Sequence, residues 1–182
     1  GMRSRIDAVS AQRPMKTIIV TSAVAREGKS TSATNLALVS ALSLDSKVLL
    51  IDCDMRAPQV ATTFGITPSA GISEVLSGTA TPEQAISHVE EANLDVLPVR
   101  TIPRNPSEQL ASAPMRELLA KLSSTYDRII LDTPPVLGLP DVKILNGICD
   151  GLVLVVRADQ TPRVDIETAL EVIDRSTVLG MV

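Results

Sequence analysis

The chain has 182 residues, 45% of them hydrophobic, and a formal net charge of −4 at pH 7. This length predicts one domain that buries about 70% of its unfolded surface. The charge balance, without a basic block and with only Phe64 and Tyr126 as aromatic residues, argues against a protein that binds nucleic acid. No apolar run approaches the ~18 residues of a membrane helix, so we expect no direct membrane insertion.

The cysteines and the chain ends carry less information. Cys53 and Cys149 lie far apart and lack metal-ligand spacing, which predicts reduced thiols in the core of a cytosolic protein. Residues 178–182 resemble the opening of a strand. We therefore expect residues 1–182 to be a single P-loop nucleotide-binding domain excised from a longer chain.

The most informative stretch lies near the start of the chain. After a polar segment over 1–14, predicted as a frayed helix or arm, a β-branched run predicts a strand over 16–22. A loop of small residues follows and ends in Gly28-Lys29-Ser30-Thr31, before a helix predicted to about residue 43. This arrangement matches the phosphate-loop pattern G-x-x-x-x-G-K-[ST], with Ala23 in the first position.

Each residue type in that loop suits a phosphate chain. The first helical turn has unpaired N–H groups and the positive end of the helix dipole. Gly28 allows close approach of the backbone, Lys29 can reach the β- and γ-phosphates, and Ser30 can complete a Mg²⁺ shell. The predicted nucleotide-binding residues are Ala25, Arg26, Glu27, Gly28, Lys29, Ser30 and Thr31.

Acidic residues follow the second predicted strand, over 47–51. If the chain stays extended there, Asp52, Asp54 and Arg56 face the same side. They come at the carboxyl end of an apolar strand, the edge where open α/β sheets bind ligands. Two close carboxylates require a cation or a proton, and Mg²⁺ would serve, although a solvated strand end with an Asp–Arg pair is the alternative.

The middle of the chain alternates between short elements. Proline and glycine break residues 56–78 into short helical pieces, and a capping box at 81–84 predicts a helix to about residue 90 that carries His88 on the surface. A strand over 94–98 and helices beginning at Asn105-Pro106 and at Pro114 follow.

A third apolar strand, over 128–131, ends in Asp132 and a Pro-Pro pair. Asp132 is well placed to hold a metal-bound water, the role of a Walker B acid. A helix over 141–148 capped by Asp141, a strand over 152–156 and a helix over 163–176 complete the chain. The alternation predicts a three-layer α/β P-loop fold with a mostly parallel central sheet flanked by helices.

The nucleotide is predicted to be ATP, bound with Mg²⁺. Guanine selection in phosphate-loop proteins often uses an N-K-x-D stretch, and the sequence has none. Arg157 and Asp159 are candidates for contacts with the adenine by position alone.

Five segments, in the order S-A-V-A-R-E-G-K-S-T, L-L-I-D-C-D-M-R-A-P, N-P-S-E-Q-L, Y-D-R-I-I-L-D-T-P-P-V-L and D-G-L-V-L-V-V-R-A-D-Q-T, resemble those of the bacterial tyrosine kinases. These are cytoplasmic domains of exopolysaccharide and capsule chain-length proteins. The resemblance implies ATP-dependent phosphorylation of tyrosine. It assigns phosphate and Mg²⁺ contacts to Lys29, Ser30 and Thr31, a candidate base to Asp52, a metal-side carboxylate to Asp54 and the Walker B acid to Asp132. The predicted catalytic residues are Lys29, Asp52 and Asp54, and the predicted metal ligands are Ser30, Asp54 and Asp132.

The resemblance also implies partners. They are a protein tyrosine, on the domain's own tail or on another protein, and a membrane-embedded chain-length or adaptor protein that activates the kinase at the inner face of the plasma membrane. Family members form homo-oligomeric rings through an E-x-x-R-x-x-R helix, of which only the end, at Arg3, is expected here.

Two further departures concern the loop and the tyrosines. Ala25-Arg26 replaces the usual Pro-Gly of the loop, and Tyr126 is the only tyrosine, at a position where packing is expected.

Two alternative functions stay open. One is a Min/Par-like switch ATPase, although Val24 and Ala25 occupy positions where those proteins carry a lysine. The other is a non-catalytic nucleotide-binding module of a polysaccharide exporter.

Overall fold

The computed structural model describes residues 1–43 and 45–182. The sheet is built from short runs of β-branched and aliphatic residues, and three of these runs are buried along their whole length, as expected for strands covered on both faces. Its strands are β1 (Thr17–Ser22), β2 (Val48–Asp52), β3 (Ser87–Val89), β4 (Leu94–Leu97), β5 (Arg128–Asp132), β6 (Gly151–Val155) and β7 (Val178–Met181).

The strand order is β3-β4-β2-β5-β1-β6-β7. All neighbours pair in parallel except β3, which pairs antiparallel to β4. The predicted mostly parallel α/β fold is therefore confirmed. The C-terminal residues do form a strand, and β7 pairs with β6 at the sheet edge.

Helices connect the strands and cover both faces. They are α1 (Met2–Ser10), α2 (Lys29–Ala41), α3 (Val60–Thr63), α4 (Ile72–Leu76), α5 (Pro82–Ala85), α6 (Pro106–Leu110), α7 (Ala113–Thr125), α8 (Asp141–Asn146) and α9 (Arg163–Val172). Single 3₁₀ turns lie at Glu90–Ala92 and Arg175–Thr177. Within the described ranges, every helix is too short or too polar to cross a lipid bilayer.

Alternate strand residues pack into separate cores on the two faces of the sheet. Ile51 and Leu131 point toward the face that packs against α4, α7 and α8. Leu50 and Ile130 point toward the opposite face, where α1 and α2 cover them. The next residues with the same alternation as Leu50 and Ile130 are acidic, so the carboxylates at the ends of β2 and β5 lie on the α2 face.

The helix predicted from residue 81 to about residue 90 is wrong beyond its first turn. The capping box forms, since Gln84 N donates to Thr81 Oγ1 and Thr81 N donates to Gln84 Oε1. The helix nevertheless ends at Ala85, and His88 pairs with Asp95 in the antiparallel edge of the sheet. Pairing with β4 satisfies the backbone of this segment, a tertiary effect that local sequence does not report. His88 is exposed, as predicted.

Gly71, at the start of α4, is required by a close backbone approach. A Cβ there would lie 2.5 Å from both Arg100 N and Pro98 O. We expect Gly71→Ala to lower the free energy of unfolding by about 1–3 kcal/mol, because the backbone cannot yield as a flexible side chain would. Chemical denaturation would measure this. Gly147→Ala is the control, since its Cβ would meet Ile144 O at only 3.4 Å. Equal stability of the two variants would contradict the assignment.

Candidate active site

The loop between β1 and α2 has a conformation that places backbone N–H groups at the helix start. Arg26 has φ 66° and Gly28 has φ 88°, both in the left-handed region. Gly28 is the N-cap of α2, and a Cβ added there would meet nothing within 4 Å. The glycine is thus favoured by its backbone angle, and the space in front of it is open for a ligand.

Lys29, the first residue of α2, is held in place by an acid from a different strand. Its Nζ donates 2.8 Å to Asp54 Oδ2 and lies 3.4 Å from Ser30 Oγ. The lysine side chain is 12% exposed and that of Asp54 7%. The loop and the residues after β2 are therefore joined across the sheet edge by a largely desolvated ion pair.

A cavity of about 540 Å³ opens over this pair. Its walls come from the phosphate loop, from the turn after β2 and from the Pro-Pro segment after β5. The lining residues are Ala25, Arg26, Gly28, Lys29, Ser30, Thr31, Asp54, Arg56, Ala57, Gln59, Pro134, Pro135 and Leu139. Six of the seven loop residues predicted to bind nucleotide thus share one cavity with Asp54.

Asp132 lies beneath this cavity at the end of β5. It is almost fully buried, and neither of its carboxylate oxygens has a hydrogen-bond partner among the described residues. Burial raises the pKa of Asp132 to about 6, although the charge of Lys29 and the nearby Ser30 hydroxyl oppose the shift. A buried carboxylate without partners is costly, which fits a position that receives a cation or an ordered, cation-bound water.

Asp52 lies level with Asp132 in the sheet, but its carboxylate is already engaged. Oδ2 accepts from Gln59 N at 2.9 Å and Val60 N at 3.0 Å, and Oδ1 accepts from Asp54 N at 3.2 Å. Burial raises the pKa of Asp52 to about 7, and nearby Asp132 adds to the shift while the backbone donors oppose it. The carboxylate fixes the turn after β2 and does not line the cavity.

The expectation that Asp52, Asp54 and Arg56 face one side is wrong for Asp52, whereas Asp54 and Arg56 both line the cavity. The strand ends at Asp52, and the chain then turns, with Ala57 N donating to Asp54 O. The three side chains consequently have different partners. Asp52 accepts a hydrogen bond from the backbone of Gln59, Asp54 pairs with Lys29, and Arg56 pairs with Asp141.

Glu27 is the loop residue that does not face the cavity. One carboxylate oxygen accepts from Val24 N at 3.2 Å, and the other accepts from the Thr161 hydroxyl, which itself accepts from Arg157 N. Glu27 therefore ties the phosphate loop to the turn after β6. Sequence reasoning missed this contact, because nothing in the pattern links positions 27 and 161.

A second groove, of about 400 Å³, lies on the β6 side of the same loop. Gly28 and Ser32 form one wall, and Arg157 and Ala158 form the other. Of the two adenine candidates, Arg157 lines this groove, whereas Asp159 is exposed and does not.

The prediction that Asp141 caps α8 is wrong, since Pro140 is the N-cap and Asp141 makes no cap. Its carboxylate instead reaches Arg56 and Ser107.

Tyr126 is buried, as predicted, and its hydroxyl donates a hydrogen bond of 2.6 Å to Asp95 Oδ2. Burial and the Asp95 carboxylate raise the pKa of Tyr126, so this hydroxyl is neither free nor easily ionised.

The donor set suits Mg²⁺ only together with a phosphate ligand. Among the described residues, no group of three or more His, Cys, Asp or Glu side chains has the geometry to hold a metal alone. Mg²⁺ bound through one or two carboxylates, waters and substrate phosphates needs no such cage. The fold and this edge of the sheet define a phosphate-loop, nucleotide-binding domain of the α/β class.

Comparisons with known proteins narrow this class. Residues 15–176 match the model of an AAA domain family. The chain is 41% identical over its whole length to the tyrosine-protein kinase YwqD of Bacillus subtilis, covering 77% of that protein. It is 32% identical to the tyrosine-protein kinase Ptk of Acinetobacter johnsonii, covering 98% of this chain and 24% of that protein. The crystal structure of the VpsO kinase domain superposes with a TM-score of 0.86 at 34% identity, covering 99% of this chain and 92% of that one. The chain belongs to the bacterial tyrosine-protein kinase family.

The raised pKa values of Asp52 and Asp132 predict how stability depends on pH. Both lie above the ordinary value of 3.8, so the folded state holds more protons than the unfolded state between about pH 4 and pH 7. The free energy of unfolding of the metal-free protein should therefore fall as pH rises through that window. Asp132→Asn should remove a part of the fall on the order of 3 kcal/mol.

Urea denaturation at several pH values in the presence of a chelator measures this dependence. Glu117→Gln, at an exposed position on α7, is the control and should keep the wild-type profile. A stability that rises across pH 4 to 7 in the wild type would show that these carboxylates are ionised and satisfied in the folded state.

Proposed function

We propose that this domain transfers the γ-phosphoryl group of Mg-ATP to a protein tyrosine and so regulates the synthesis and export of exopolysaccharide or capsule. The observation that carries the proposal is the convergence at one sheet edge of the Lys29–Asp54 pair, the unpartnered Asp132 and the open N-terminus of α2. Phosphoryl transfer needs little covalent chemistry from the protein. It needs positioning and charge neutralisation, which these groups supply.

The strand order gives the bound nucleotide a direction. Because β6, β1, β5 and β2 lie side by side, the groove after β6 and the turn after β2 are on opposite sides of the phosphate loop. We infer that the base occupies the groove lined by Arg157 and that the phosphates pass over Gly28. The γ-phosphate then lies at Lys29, and the acceptor enters on the β2 side.

Each residue of the site has a defined task in this proposal. The N–H groups at the start of α2 bind phosphate oxygens, with Ala25, Arg26 and Thr31 forming the wall of the cavity. Lys29 leaves Asp54 for the β- and γ-phosphates, which frees the Asp54 carboxylate for the metal side. Ser30, Asp54 and Asp132 would hold Mg²⁺ or its waters, and the ion would neutralise charge on the phosphates.

In this proposal Asp52 acts as the base that accepts the tyrosine proton, and it can do so only if the turn after β2 rearranges. In the present conformation its carboxylate is fully buried beneath Asp54, so a tyrosine hydroxyl does not reach it. Its raised pKa, about 7, suits a group that accepts a proton near neutral pH. Asp54, which lines the cavity, is the nearer carboxylate before such a movement.

The acceptor tyrosine lies outside the described residues. Tyr126, the only tyrosine in the sequence, has its hydroxyl committed to Asp95 in a buried position. The acceptor is therefore a tail beyond this segment or another protein. We propose further that a membrane-embedded chain-length or adaptor protein activates the domain at the cytoplasmic face of the membrane, and that the full-length protein forms homo-oligomers.

Two other functions would use the same fold. In a Min/Par-like switch ATPase, hydrolysis would control dimerisation, and ATP-dependent dimers would appear in light scattering without phosphotyrosine. A non-catalytic module would bind Mg-ATP weakly or not at all in calorimetry. The Lys29–Asp54 pair and the unpartnered Asp132 favour a nucleotide-binding, metal-dependent site over the second alternative.

Loss of the loop lysine tests the nucleotide site. We expect Lys29→Ala to weaken Mg-ATP binding by at least about 10-fold, because it removes charge-assisted hydrogen bonds to phosphate. Asp54→Asn should alter the Mg²⁺ dependence of turnover more than the free energy of unfolding. Calorimetry and turnover at varied Mg²⁺ measure both effects. Lys143→Ala, at an exposed position on α8, is the matched control. Full ATP affinity and activity in Lys29→Ala would refute the assignment.

Transfer to an external acceptor tests the reaction itself. With labelled ATP and a glutamate–tyrosine copolymer, we expect label on copolymer tyrosine and none on the domain. Tyr126→Phe should transfer as well as the wild type while losing about 1 kcal/mol of stability with its buried hydrogen bond. Release of free phosphate without any phosphotyrosine would eliminate the kinase proposal. Loss of transfer in a folded Tyr126→Phe variant would show that Tyr126 takes part.

A further inference from the structure

Arg56 is held by two side chains from two other elements. Its Nη1 donates to the Asp141 carboxylate at the start of α8, and its Nη2 donates 2.8 Å to the Ser107 hydroxyl in α6. The same hydroxyl donates to the second oxygen of Asp141. Arg56, Ser107 and Asp141 thus form a closed triangle in which each member contacts both of the others.

The side chains of the triangle differ in burial, and the most exposed of them faces the cavity. The Asp141 side chain is 0% exposed, whereas that of Arg56 is 36% exposed and lines the cavity above Lys29. A buried ion pair is weak evidence for stability, because desolvation opposes the Coulombic gain. Two hydrogen-bond acceptors on one side of the planar guanidinium nevertheless fix the orientation of its plane. A guanidinium carries five donors, and among the described residues only two of those of Arg56 are used, which leaves the others for a ligand.

The place of Arg56 in the pocket defines which ligand it meets. It belongs to the turn after β2, on the far side of the Lys29–Asp54 pair from the groove lined by Arg157. A nucleotide whose base occupies that groove ends at Lys29. Arg56 therefore lies beyond the γ-phosphate, where the group that receives the phosphoryl must approach.

We propose that Asp141 and Ser107 are positioning residues that fix Arg56 at the acceptor end of the cavity, where its guanidinium donates hydrogen bonds to the tyrosine-bearing acceptor. This inference rests on the proposed tyrosine-kinase function. It also gives a role to the N-P-S-E-Q-L segment, because Ser107 is its third residue and joins the segment to the site through this triangle.

The test separates acceptor binding from nucleotide binding. Steady-state transfer to a glutamate–tyrosine copolymer and hydrolysis of Mg-ATP without acceptor are measured for Asp141→Asn, Ser107→Ala and the wild type. We expect kcat/KM for the copolymer to fall by about 100-fold in Asp141→Asn and by about 10-fold in Ser107→Ala, since small misplacements of a positioning group have effects of this size. The KM for Mg-ATP should stay within about two-fold of the wild type.

Two further variants control the result. Ser107→Thr keeps the hydroxyl and should restore transfer, and Lys143→Ala alters α8 away from the triangle. If Asp141→Asn fails to fold, Ser107→Ala decides, because it leaves the ion pair in place. Unchanged copolymer kinetics in a folded variant, or an equal loss of Mg-ATP binding, would overturn the inference while the proposed function stands. A wild type that hydrolyses ATP but never labels the copolymer would remove both.

Discussion

The parallel alignment of β6, β1, β5 and β2 is the constraint on which the rest of this domain depends. Parallel strands bring their carboxyl ends to one edge, and each of these four ends in a segment with a different polar character. β1 ends in the phosphate loop, β5 in Asp132, β2 in the Asp52 turn, and β6 in the segment of Arg157. The site is therefore assembled by topology, from residues that are far apart in the chain.

The electrostatics of this edge explain why an ion pair joins the phosphate loop to the turn after β2. Lys29 would otherwise be a largely desolvated cation, and Asp54 neutralises it at 2.8 Å. Asp132 lies below with no hydrogen-bond partner in the described part of the chain, and burial raises its pKa toward neutrality. Incoming phosphate and a divalent cation would exchange partners with this arrangement, since phosphate would attract the lysine and the cation would satisfy the acids. A magnesium–phosphate ligand would thus separate the Lys29–Asp54 pair and give Asp132 a partner.

Sequence patterns predicted most of the fold and the elements of the site, because both arise from local signals. Apolar runs gave the central strands, and G-K-S-T with its flanking strand gave the loop and α2. The failures came from long-range contacts. The segment after α5 forms an edge strand because β4 is beside it, and Asp141 lies against Arg56 because α6 and α8 meet beneath the turn. The extended-chain argument, which placed Asp52 on the same side as Asp54 and Arg56, failed at Asp52 for a related reason. The Asp52 carboxylate binds the backbone at Gln59 and Val60, and this contact folds the chain back after the strand.

The contacts that sequence reasoning missed lie at the two ends of the predicted pocket. Glu27 links the loop to Thr161 on the side of β6, and the Arg56 triangle links the turn to α6 and α8 on the side of β2. Neither the Glu27–Thr161 contact nor the Arg56 triangle is visible in a motif, because each joins a motif residue to partners that are remote in sequence. A phosphate loop alone binds a phosphate chain in many unrelated proteins. In the proposed arrangement, such contacts at either end would determine which base and which acceptor can be aligned with that chain, so the specificity of this domain would depend on them more than on the loop.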